Sequence, residues 1–428
     1  MPKSQTPKLK HPGVDPAPAF SRIAFKISLW NFCEKPFAML PLHRLFSIAV
    51  ALIFPLICRA DPARDAAIAG KLQPYLDSGV VSGLVTLVAD DARVLHLAAM
   101  GKSDLASGAP MKTDALFWIA SMTKPMTAVC VQMLVEEGRF SLEDPVEKLL
   151  PEFRGQKLGS GAAPGRPMTV RDLLTHKSGI SEVRQSKEET TLAELVVDYA
   201  KAPLRFEPGS QWAYSTAGIN TLGRIVEVVA GTSFENFLRQ RLLEPLGMKD
   251  TTFWPTPDQA ARLAKSYSIP KGQTQLQEIP ISMLPGAVTN QKRPATPGAG
   301  LFSTATDVAA FYQMLLQEGR FQGRTLLAPA SVKALVSPQT EIIPTPSAPG
   351  VTMGLGFKVQ TEPQEVTAVQ APGTFGHGGA YGTQSWADPK HKLVYVLLIQ
   401  RGGMPKGDGS DLRGAFQEAA FAAFGPAR

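Results

Sequence analysis

Ser121-Met-Thr-Lys124 places a hydroxyl and an amine three residues apart, where the apolar run Leu116-Phe-Trp-Ile-Ala120 gives way to Met122, Met126, Val129, Met133 and Leu134 at helical spacing. Residues three apart share a helix face, so the Lys124 amine can reach the Ser121 hydroxyl and act as its base. A base must be unprotonated. For Lys124 near pH 7 that means a pKa about three units below its ordinary value, at a cost of about 4 kcal/mol. Only desolvation or a neighbouring cation supplies such a shift. The helix start contributes as well, because unpaired N–H groups and the positive end of the dipole favour the anion that an attacked carbonyl oxygen becomes. Pro125 fits a first turn and would break a helix further in.

A plainer reading stands beside this one, with Ser121 as an ordinary N-cap and Lys124 as a solvated side chain. S-x-x-K also occurs a second time, as Ser268-Ile-Pro-Lys271, where Pro270 and the neighbouring Gly272 and Gln273 argue against a helical turn. Two downstream segments decide between the readings. One is Trp212-Ala-Tyr214-Ser-Thr216-Ala-Gly218, leading into an amphipathic run from Ile219 to Val229. The other is Phe375-Gly-His377-Gly378-Gly379-Ala380, continuing to Trp386-Ala-Asp388.

Together with Ser121 and Lys124 these segments resemble the three motifs of the serine β-lactamase and penicillin-binding protein superfamily, in the branch of class C β-lactamases, D,D-carboxypeptidases, D-aminopeptidases and β-lactamase-like carboxylesterases. More of the chain agrees. Asp172-Leu-Leu-Thr-His176-Lys-Ser-Gly179 resembles the family's approach to the active-site region. Gly298-Ala-Gly-Leu-Phe-Ser-Thr304 with Asp307 resembles its glycine-rich turn before a helix, and Gly83 to Gly101 its opening hairpin around Asp90-Asp91. The resemblance runs from about residue 65 to the C-terminus.

It implies Ser121 as nucleophile, Lys124 as its base and Tyr214 as a second acid/base that protonates the leaving group and then activates water. It implies an oxyanion hole from the backbone N–H groups of Ser121 and Ala380, and a substrate cleft lined by His377, Gly378, Gly379 and Thr216. The glycines have a physical rationale too, since a strand against which substrate lies cannot carry side chains on that face. Outside the family context, Tyr214 reads as a half-buried core residue and His377 as a satisfied strand histidine. His176, at an apparent helix C-terminus, reads as support for the local dipole and a turn.

Two positions depart from the class C pattern. Thr216 stands where an asparagine would hold an acyl amide, and His377 where a lysine would hold a carboxylate. Both favour uncharged esters over β-lactams or peptides. The three expectations are therefore a carboxylesterase on small acyl esters, a D-amino-acid peptidase or β-lactamase, and a catalytically silent cell-wall binding protein. The presence of Ser121, Lys124 and Tyr214 together argues against the last.

No G-x-S-x-G elbow, H-E-x-x-H or recognisable His/Cys ligand spacing is present, and Gly376 to Tyr381 misses G-x-G-x-x-G at its last residue, so no metal and no cofactor is expected. Residues 45–57 are an uncharged apolar run after His43-Arg44 and before Cys58-Arg-Ala60-Asp61. That is the shape of an export signal cleaved after Ala60, too short to span a bilayer, with Met39 at the usual distance for a start; it implies a periplasmic or secreted protein without a stable membrane anchor. Ile57 is too bulky for a lipoprotein signal at Cys58. Residues 1–60 also hold eight Lys/Arg against two Asp/Glu. Of 44 basic and 37 acidic residues, 36 and 35 remain beyond them, so the basic pI implies no nucleic-acid partner. Only Cys130 would remain, as a small core residue.

The remaining 61–428 read as one α/β (α+β) domain of β-lactamase/transpeptidase-like architecture. An antiparallel sheet forms from both ends of the chain (61–121 and 300–428) around a mainly helical lobe (122–299), and a final helix Asp411 to Phe424 packs on the sheet. Proline-rich stretches at 161–167, 285–297 and 338–349 read as surface loops, the second placed to shape substrate access.

Overall fold

The computed structural model describes residues 61–183, 188–343 and 349–426. The export signal, its cleavage after Ala60 and the start at Met39 lie outside the described residues, as does part of the 338–349 loop. Among the described residues no helix is long and apolar enough to cross a membrane.

The sheet has seven strands: β1 Gly83–Ala89, β2 Val94–Gly101, β3 Val351–Met353, β4 Lys358–Gln360, β5 Thr374–Gly378, β6 Gln384–Asp388 and β7 Leu393–Leu398. They lie in the order β2-β1-β7-β6-β5-β4-β3, every pair antiparallel. The central pairing joins the two ends of the chain, with Leu87 opposite Val396.

Alternation along β7 explains its two covered faces. Leu393, Tyr395 and Leu397 belong to one buried cluster with Ile68 and Leu72 of helix α1 (Pro62–Asp77) and Leu412 and Phe416 of the final helix, whose bounds are Asp411–Phe424 as expected. Val394, Val396 and Leu398 belong to the other cluster, with Val129 and Met133 of helix α2 (Thr123–Glu136) and Val308 and Phe311 of helix α3 (Ala305–Leu316). With both faces covered, β1 is buried at every position, and each fully buried apolar side chain contributes about 1.5–3 kcal/mol.

Between β2 and α3 the regular structure is mostly helix, separated by long loops. Thr304 caps α3 by accepting from Asp307 N, so the glycine-rich turn does precede a helix. Helix α4, Thr216–Ala230, starts at its cap Ser215, whose hydroxyl accepts from Gly218 N, and ends at Gly231 in the left-handed region. Ser268 of the second S-x-x-K lies in a two-residue strand paired with Gln277 and Glu278, not in a helix.

Candidate functional site

Ser121 is presented by a short strand that ends abruptly. Phe117–Trp118 pairs with Phe302–Ser303, and Trp118 Nε1 donates to the Ala299 carbonyl at 2.7 Å. Ile119 N donates to Leu301 O at 3.0 Å. Ala120 then adopts φ +46°, a conformation costly for a residue with a Cβ, before one 3-10 turn leads into α2. Ser121 makes no helix cap, which removes its plainer reading.

Its neighbour is Lys124, whose side chain is fully buried. The Lys124 Nζ lies 3.2 Å from Ser121 Oγ, 3.3 Å from Thr216 Oγ1 and 2.6 Å from the Gly298 carbonyl oxygen. Burial lowers its pKa to about 7, assisted by the Lys358 charge and opposed by Glu182. A neutral amine has two hydrogens and one lone pair. Gly298 O and Thr216 Oγ1 can take the hydrogens, which leaves the lone pair for the Ser121 hydroxyl.

Tyr214 brings its phenol to Ser121, and its ring lies 4.7 Å from Lys124 Nζ. The residue is 36% exposed at the cleft mouth, yet its hydroxyl end sits in the packed floor, where burial raises its pKa above the usual tyrosine value. It therefore holds its proton at neutral pH. Tyr214 is kept in place by His176, whose ring centroid is 4.8 Å away. His176 is buried at φ +59°, its carbonyl accepts from Ala213 N at 2.9 Å, and its Nδ1 accepts from Ser215 N at 3.2 Å. It does support a turn. Burial pushes its pKa well below 6.5, however, so a neutral ring lends no charge to a helix dipole.

His377 on β5 is also buried, its ring 6.2 Å from that of Tyr214. Its Nδ1 is 2.6 Å from the Gly378 carbonyl, so that nitrogen carries the proton, while the buried Nε2 has no partner among the described residues. Burial, with Lys358 and Lys124 adding to it, lowers its pKa to about 3. No cation stands at this position at neutral pH.

The rationale for Gly378 and Gly379 needs correction. A Cβ on Gly378 would fall 1.9 Å from Asp408 Oδ1, and one on Gly379 would fall 2.0 Å from Thr383 Oγ1 and 2.6 Å from Ile119 O. Protein atoms, not substrate, occupy the missing side chains' space. Ala380 is exposed, and its backbone N–H has no hydrogen-bond partner among the described residues. Thr216, expected to face substrate, accepts from Lys124 Nζ at 3.3 Å.

Several members of the site carry no motif. Glu182 accepts from Ser215 Oγ at 2.8 Å, Thr216 N at 2.7 Å and Ala217 N at 3.1 Å, filling the N-terminus of α4 with a carboxylate. Asn220 Oδ1 accepts from Gly298 N at 2.9 Å, and Thr127 Oγ1 donates to Pro297 O at 2.7 Å, so the end of the 285–297 loop is tied to α2 and α4. Cys130 is buried in α2, with its thiol pKa raised by burial.

Comparison with known proteins agrees with this geometry. The chain is 30% identical to esterase EstB of Burkholderia gladioli over 373 residues, covering 78% of this chain and 90% of EstB. Among solved structures it is similar to EstCE1, a hydrolase with promiscuous acyltransferase activity (25% identity, TM-score 0.72, 84% of this chain and 99% of that one). It is also similar to a penicillin-binding protein homologue from Caulobacter crescentus (26% identity, TM-score 0.70, 85% and 98%). The Beta-lactamase family model matches residues 68–420, and with a fully formed Ser121, Lys124 and Tyr214 cluster inside that span, the chain belongs to the Beta-lactamase family of serine hydrolases.

Proposed function

We propose that this protein is a carboxylesterase that cleaves small uncharged acyl esters through an acyl-enzyme on Ser121. The observation that carries the reading is the buried Lys124 amine, with a pKa of about 7 and its lone pair left for Ser121 Oγ. Ser121 attacks the ester carbonyl and passes its proton to Lys124, which returns it to the Ser121 oxygen when the acyl group is released. The backbone N–H groups of Ser121 and Ala380 hold the oxyanion. Tyr214, still protonated, donates to the departing alkoxide, and the resulting phenolate takes a proton from the water that releases the acyl group.

The preference for uncharged esters is supported by the neutral His377 and by a Thr216 hydroxyl already engaged with Lys124, which leave no cation for a carboxylate and no amide for an acyl amide. EstB is itself named an esterase. The likeness to a penicillin-binding protein homologue favours the second reading, a D-amino-acid peptidase or β-lactamase. We further infer export, with cleavage after Ala60, from residues 45–57. N-terminal sequencing of the protein recovered from the producing cell would show Asp61 first.

Hydrolysis of p-nitrophenyl butyrate, a chromogenic cephalosporin and a D-Ala-D-Ala peptide, with Ser121→Ala alongside, tests the activity. Ester turnover lost in the variant, with little action on the other two, is the expected result. A preference for peptide or cephalosporin would move the enzyme to the second reading, and activity surviving in Ser121→Ala would remove the mechanism.

A further inference from the structure

Behind the cleft strand lies an ion pair that the mechanism has not used. Lys358, the first residue of β4, is paired with Asp408, and the two side chains are only 11% and 14% exposed. Asp408 also accepts from Gln384 Nε2 at 2.9 Å and fills the space above Gly378, so β4, β5, β6 and the 407–409 turn converge on one carboxylate. Burial would raise the Asp408 pKa, but the Lys358 charge and the hydrogen bonds hold it well below the usual range. Such a pair is a poor stability device, because apolar residues of similar volume fill such a space as well or better.

Its position is more informative than its strength. Gly356, two residues before Lys358, packs directly on α2: a Cβ there would fall 2.5 Å from Ala128 Cβ and 3.7 Å from the Lys124 carbonyl. Lys358 itself is opposite Gly376, the residue before His377. The strand start is thus wedged between the helix turn that carries Lys124 and the strand that carries His377. Around the Lys124 amine stand Ser121, Tyr214, the neutral rings of His176 and His377, the Glu182 carboxylate and the Lys358 ammonium.

We propose that Lys358 is a positioning residue of the reaction: held beside β5 by Asp408, its charge opposes a second positive charge on Lys124 and keeps the Ser121 base free of its proton. This rests on the reading of Lys124 as that base. Glu182, at the N-terminus of α4, acts against it, so the proton on Lys124 is set by two opposed charges on top of burial.

The test is the pH profile of kcat/KM for p-nitrophenyl butyrate, from about pH 5 to 9, in wild type, Lys358→Met, Lys358→Arg and Asp408→Asn. Wild type should show an acid limb near pH 7. In Lys358→Met the limb should move up by about 0.5–1 unit, in Lys358→Arg it should return, and in Asp408→Asn, where the cation loses its partner, it should move down. A limb unmoved in Lys358→Met and Asp408→Asn, whatever their thermal stability, would overturn the proposal and leave Lys358 a structural residue. If Lys358→Met does not fold, the opposite displacement in Asp408→Asn and the wild-type limb in Lys358→Arg decide alone. A wild-type profile without any limb in this range would instead strike at Lys124 as base, and the inference would fall with it.

Discussion

The Gly298 carbonyl oxygen stands 2.6 Å from Lys124 Nζ, across 174 residues of sequence, and it fixes which way the amine's lone pair points. Replacing Gly298 by Ala would put a Cβ 2.6 Å from Thr216 Cγ2 and 3.2 Å from the Thr216 carbonyl. The loop must then shift and carry the carbonyl with it. Gly298→Ala is expected to lower kcat on p-nitrophenyl butyrate by about 10–100-fold with a smaller change in KM, since misplacement of a catalytic group by about 1 Å costs on that order. A kcat within twofold of wild type would show that the carbonyl does not orient the base.

Glu182→Gln removes a carboxylate from the N-terminus of α4 while keeping the side chain's shape. Helix capping and dipole terms predict a stability loss of about 0.5–1 kcal/mol, read by urea titration. Because Glu182 raises the Lys124 pKa, its loss should also move the acid limb of kcat/KM to lower pH, by a few tenths of a unit up to about one, Glu182 being exposed to screening solvent. An upward displacement would contradict this placement of charges.

Stability should fall as pH drops below 6.5. The folded His176 and His377 stay neutral there while the unfolded chain takes up a proton at each, so the unfolded state binds more protons and gains. Asp307, whose pKa burial raises to about 6, works in the opposite sense between its unfolded value and 6, because there the folded state holds the extra proton. Near pH 5 the balance is about one net proton, or a loss of about 1.4 kcal/mol per pH unit. Denaturation at pH 6.5, 5.5 and 5 measures the slope, and a flat profile would show that one of the rings is charged in the folded state.

Gly378→Ala should be among the more damaging small substitutions. Its methyl would land 1.9 Å from Asp408 Oδ1 and separate a buried carboxylate from Lys358 and Gln384. Breaking such a contact is expected to destabilise by about 3 kcal/mol, visible as a lowered Tm, whereas Gly373→Ala, with no atom within 4 Å of its Cβ, would suffer only from its φ of +91°. Equal Tm losses in the two variants would mean that Asp408 moves aside.

The gathering of Ser121, Lys124, Tyr214 and His377 in one place was legible because each belongs to a short motif. So were the central sheet from both chain ends and the final helix, through alternation in β7 and helical spacing at 411–424. What stayed hidden are partners that act through backbone atoms or long-range placement. Gly298 contributes a carbonyl, which every residue has, and Glu182 contributes a charge that looks like any surface acid. Lys358 and Asp408 are 50 residues apart, with nothing in either segment to pair them. The two glycines of the third motif were read for the missing side chain and the wrong occupant of its space: shape complementarity with Asp408 and Thr383 exists only once the fold has brought them together.

The pairing of β1 with β7 sets a condition on how this enzyme can be made. Leu87 and Val396 are about 300 residues apart, so the middle of the sheet closes only after nearly the whole chain exists, and loop closure over that length makes such contacts late. Until then the β1–β2 hairpin presents an open, mostly apolar edge strand, a natural client for factors that hold unfolded proteins, and a chain cut short before residue 393 lacks the strand that joins the two ends.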